Sequence, residues 1–119
     1  MNARDASSVL VVCRSSPCAS MRAREAIDLV MAFAAFEQTV TLLFLGEGVF
    51  VPATPTDGGS SLGKLLGTLA DYGIERVYVD AAALEARGLD VQTLVIPATP
   101  ATDETLRELF GSHRRVITV

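Results

Sequence analysis

The chain has 119 residues, half of them hydrophobic, no tryptophan and a formal net charge of −4. That length suits a single domain with an aliphatic core; no basic run exceeds Arg114–Arg115, which argues against nucleic-acid binding by this chain alone. No stretch approaches the roughly 20 apolar residues of a membrane helix, residues 1–8 are too polar for a signal peptide, and the expected location is the cytoplasm, with Cys13 and Cys18 as thiols.

Val9–Cys13 is a short β-branched run without polar alternation and reads as a strand buried on both faces. In the loop Arg14–Ser20, Pro17 favours an extended path and Ser20 suits a helix N-cap. The first helix is expected over Met21–Glu37. Its stretch Leu29–Phe36, LVMAFAAF, is apolar at every position, where a surface helix shows a polar face. Something must therefore cover its outer side.

Thr39–Leu45 reads as the second strand, ended by Gly46-Glu47-Gly48. Val51–Ser61, with Pro52, Pro55, Gly58 and Gly59, reads as a mobile loop. Ser60 or Ser61 then caps a second helix over Leu62–Tyr72, terminated at Gly73. Arg76–Asp80 is the third strand, and AAALEARG a short helix stopped by Gly88. Leu94–Ile96 is expected as the fourth strand. Thr102 caps the last helix, with Asp103 and Glu104 at its positive end; Gly111 stops it, and Val116–Val119 closes the chain as a strand. The alternation predicts an α/β fold, a single domain over 1–119 with a mostly parallel five-stranded sheet and helices on both faces.

The candidate chemistry is sparse. Cys18 precedes a helix N-terminus with Arg14 and Arg22 nearby in sequence, a setting that favours a thiolate; it also reads simply as a small loop residue. Cys13, at a strand end, reads as a buried hydrophobe. The two are spaced C-x4-C and only one His is present, too few ligands for zinc, so no metal is expected. Asp80 ends the third strand, where open α/β folds place working residues. A phospho-accepting aspartate would need carboxylates after the first strand, where this chain has VVCRSS, and D-A-A-A suits a helix cap instead. Phosphate-binding glycine motifs are missing and the GEG turn is expected to start no helix, so no cofactor is expected. His113 reads as a partner for a helix C-terminus.

Three segments carry a family resemblance. SSPCASMRAREAIDLVMAFA, with Arg24, Glu25 and Asp28, resembles the first loop and helix of the DsrE/DsrF-like sulfur-relay proteins. LLFLGEGVF (Leu42–Phe50) resembles their strand and acidic-Gly-Val-Phe turn, and YGIERVYVDAAALEARGLD (Tyr72–Asp90) their third strand and following helix. The TusC (DsrF) type is the subgroup most resembled, over essentially the whole chain.

The resemblance implies a flavodoxin-like, DsrEFH-like fold. It implies a place in a heterohexamer of three related subunits, each present twice, that passes persulfide sulfur toward tRNA 2-thiouridine synthesis or sulfur oxidation. It aligns Asp80 with the acceptor cysteine of the DsrE/TusD-type subunit. A carboxylate carries no persulfide, which implies a non-catalytic partner subunit. The expected partners are sister DsrE/TusD-like and DsrH/TusB-like subunits, met through Val30, Met31, Phe33 and Phe36 of the apolar helix. A homo-oligomer is a further expectation when the sisters are missing. The competing readings are a sulfurtransferase that uses Cys18 as persulfide acceptor, a DsrF-like subunit in sulfur oxidation, and a small-molecule binding module.

Overall fold

The computed structural model describes residues 8–17, 21–53 and 61–119. Five strands, β1 (Ser8–Cys13), β2 (Thr39–Phe44), β3 (Arg76–Asp80), β4 (Thr99–Ala101) and β5 (Arg115–Thr118), form one sheet in the order β4-β3-β2-β1-β5. Every pairing is parallel. The connecting α-helices among the described residues are α1 (Arg22–Ala35), α2 (Ser61–Gly67), α3 (Ala81–Ala86) and α4 (Asp103–Ser112).

The strand order decides which helix goes where. From β1 to β4 each crossover steps one way across the sheet, so a constant right-handed connection leaves α1, α2 and α3 on one face. The last crossover jumps back to the far side of β1, so α4 lies on the other. The core divides accordingly. Val9, Val11, Leu42, Phe44, Val77 and Val79 pack under the first three helices. Leu10, Val12 and Leu43 pack under Leu109 of α4. All six residues of β1 are buried, as expected for a strand covered on both sides.

Local signals set several boundaries. Asp80 caps α3 by accepting from the Ala83 amide, and Thr102 caps α4 by accepting from the Thr105 amide. Gly73 takes a left-handed φ of 77°, which terminates the turn before β3. α1 is shorter than expected. It starts after Met21, which makes no side-chain cap bond, and the expected cap Ser20 lies outside the described residues. Its far end closes through the Gln38 amide on the Phe33 carbonyl, with Glu37 in the left-handed region.

Three expectations are corrected. The second helix breaks at Gly67, and a separate 3-10 turn, Leu69–Tyr72, continues to Gly73. The fourth strand is Thr99–Ala101 rather than Leu94–Ile96. Leu94, Val95 and Ile96 pack against the core without joining the sheet, while Pro100 sits in an edge strand, where its missing donor costs no central ladder bond. Gly111 does not stop the last helix but lies within it. The expected mobile loop begins on an anchored stretch: Val51 and Pro52 are buried, and the Val95 amide donates to the Pro52 carbonyl at 2.8 Å. Residues 54–60 of that loop and the candidate cap Ser60 lie outside the described residues.

Candidate functional site

The carboxyl ends of β1, β2 and β3 meet at one edge of the sheet, the place where open parallel sheets present reacting groups. β1 ends at Cys13. β2 runs through Leu45 into a 3-10 turn, Gly46–Phe50. The expectation that GEG starts no helix is thereby corrected. Gly46 adopts a left-handed φ of 57°. Gly48 is pressed on the end of β1: a Cβ there would lie 2.0 Å from the Cys13 carbonyl oxygen.

Asp80, half-buried at the end of β3, holds this turn to α3. Its Oδ1 accepts from the Ala83 amide at 3.3 Å and its Oδ2 from the Gly46 amide at 3.4 Å. Arg87, just past the other end of α3, closes the same turn from below. Its Nε donates to Glu47 at 2.8 Å, another guanidinium nitrogen donates to the Ala83 carbonyl at 3.2 Å, and the guanidinium carbon lies 6.0 Å from the centre of the Phe50 ring. The Glu47 side chain is 57% exposed, so this ion pair fixes geometry more than it stabilises; exposed pairs contribute about 1 kcal/mol or less.

Cys13 is fully buried. Burial pushes its thiol above the ordinary range, a backbone hydrogen bond at Ser15 opposing this only in part. A thiol kept protonated is a poor nucleophile, in keeping with the reading of Cys13 as a core residue. Cys18 lies outside the described residues. His113 bridges α4 to the sheet. Its Nδ1 lies 2.7 Å from the Leu109 carbonyl and its Nε2 2.9 Å from the Thr41 hydroxyl. Since a carbonyl only accepts, Nδ1 carries a proton toward Leu109, and Nε2 shares the second hydrogen bond with the Thr41 hydroxyl. It is a structural tie far from Asp80 in the sheet's geometry, on the C-terminal turn of α4, as its sequence position implied.

The apolar helix divides its side chains more sharply than its sequence suggested. Val30 has no exposed surface, being fully used against the chain's own sheet, so it has none to offer a partner. Met31 and Phe33 are half-buried and pack on the same core. Phe36 is 78% exposed. Of the four residues expected at an interface, Val30 is thus removed, and Phe36 is the one that stands free of its own core. An apolar cleft of about 290 Å³ lies between Leu66 and Leu69 on one side and Val95 and Ile96 on the other, and includes none of Cys13, Asp80 or Arg87. Among the described residues no group of three or more potential metal ligands converges, and no helix is long and apolar enough to cross a membrane.

The Asp80 cap carries a direct prediction. Asp80→Ala removes the acceptor for two backbone amides and is expected to cost about 1 kcal/mol, in the range of lost N-caps, whereas Asp80→Asn keeps an acceptor oxygen and retains most of that. Urea unfolding of the two variants checks this; equal losses would show that the carboxylate's charge, not the cap, holds the turn.

Comparison with known proteins places this geometry. The DsrE/DsrF-like family model matches residues 7–119. A TusC homolog from Pseudomonas aeruginosa is 34% identical over 116 residues, covering 94% of this chain and 98% of that protein. Protein TusC of Escherichia coli is 34% identical over 113 residues, covering 88% and 92%. The intracellular sulfur oxidation protein DsrF of Allochromatium vinosum is 40% identical over 86 residues, covering 69% of this chain and 63% of its own. The solved ychN protein of Escherichia coli superposes with a TM-score of 0.81 at 17% identity, over 94% of this chain and 98% of that one, which establishes a shared fold. With a parallel sheet in the order β4-β3-β2-β1-β5, the GEG turn clasped by Asp80 and Arg87, and relatives matched nearly end to end, this chain belongs to the DsrE/DsrF-like family.

Proposed function

We propose that this chain is a non-catalytic, TusC-like subunit of a heterohexameric sulfur-relay complex that passes persulfide sulfur toward tRNA 2-thiouridine synthesis. The observation that carries this reading is the side chain at the end of β3. Where the family resemblance aligns an acceptor thiol, this chain has the Asp80 carboxylate, engaged by the amides of Gly46 and Ala83. An aspartate cannot form a persulfide, and Cys13 is sealed in the core. The chain then contributes surface rather than sulfur chemistry, with Met31, Phe33 and Phe36 facing sister subunits of DsrE/TusD-like and DsrH/TusB-like type. The TusC relatives, matched over most of their length, favour the tRNA branch. The 40% identity to DsrF favours sulfur oxidation as the second reading.

The test is a reconstituted relay. The complex is co-purified from cells expressing this chain with its sisters, and labelled sulfur is followed from a persulfide donor. A variant carrying Cys13→Ala and Cys18→Ser is expected to assemble and relay at the wild-type rate. Alanine is chosen at Cys13 because a serine hydroxyl would be buried there without need. Loss of relay in an intact complex would overturn the reading and assign the acceptor role to this chain. Loss of 2-thiouridine from tRNA on deletion of the gene supports the tRNA branch, and an unchanged tRNA supports sulfur oxidation.

A further inference from the structure

We draw no further inference here: the strongest candidate, the apolar cleft of about 290 Å³ between the Leu66–Leu69 segment and Val95–Ile96, carries nothing, because Glu75 is the one charged side chain among its lining residues and nothing in the structure shows what fills it.

Discussion

Gly48→Ala is expected to lower stability by about 3 kcal/mol or more, the upper end of what overpacking costs. The reason is space, not backbone conformation, since the glycines with positive φ are Gly46, Gly73 and Gly88. A Cβ on residue 48 would stand 2.0 Å from the Cys13 carbonyl oxygen and 2.8 Å from its carbon, both backbone atoms that no rotamer change moves aside. Relief requires shifting the 3-10 turn off the end of β1. That shift would strain the Leu45 amide's bond to the same Cys13 carbonyl, at 2.9 Å, and the Gly48 amide's bond to Leu45, also 2.9 Å. It would also pull Val49 and Val51 out of the core, where both are fully buried. The loss is expected as a lower urea midpoint with an unchanged slope.

Gly111→Ala provides the contrast. It lies within α4, no atom would come within 4 Å of its added Cβ, and its φ is not positive. The same substitution there is expected to stabilise by about 0.5–1 kcal/mol, because alanine loses less backbone entropy in a helix than glycine does. If Gly48→Ala were as harmless as Gly111→Ala, the close approach of the 46–50 turn to β1 would not be a constraint on the fold.

The contrast also shows which features could be read before any coordinates. Asp80 and Thr102 cap their helices as D-A-A-A and T-D-E imply, because an N-cap is a contact within a few residues and its chemistry is local. β3 ends at Asp80 for the same reason: a β-branched run meets a cap. The fourth strand was misplaced because Leu94–Ile96 advertises burial, and burial alone does not say whether a segment pairs with the sheet or lies beside it. Thr99–Ala101 pairs with β3 although its sequence, with a central proline, carries no strand signal. Within LVMAFAAF the helical period was invisible because every position is apolar. Only the fold distinguishes Val30, buried, from Phe36, exposed. The clasp of Arg87 on Glu47 spans 40 residues, and the contact that requires a glycine at 48 joins a turn to the end of a strand far back in the sequence. No local pattern encodes such pairs.

His113→Ala is expected to cost about 2–3 kcal/mol, because it removes the tie that fastens α4, which among the described residues is the one helix on its face of the sheet. The ring donates to the Leu109 carbonyl, satisfying an acceptor at the open end of α4, and hydrogen-bonds the Thr41 hydroxyl, on a residue only 1% exposed. Truncation would strand that hydroxyl in a buried setting, a loss of about 1–3 kcal/mol, and would leave a Leu109 carbonyl without its cap. Thr41→Val removes the same hydroxyl while keeping a β-branched strand residue between Leu10 and Arg76, and is expected to cost less. The decisive measurement is the double variant. If the imidazole and the hydroxyl sustain each other, His113→Ala with Thr41→Val will lose less stability than the two single losses added, by about 0.5–3 kcal/mol, the range of coupling for residues in contact. Strict additivity would mean that His113 acts on the Leu109 carbonyl alone. The docking of α4 would then rest on its apolar contacts through Leu106 and Leu109, with the hydrogen bond to β2 incidental.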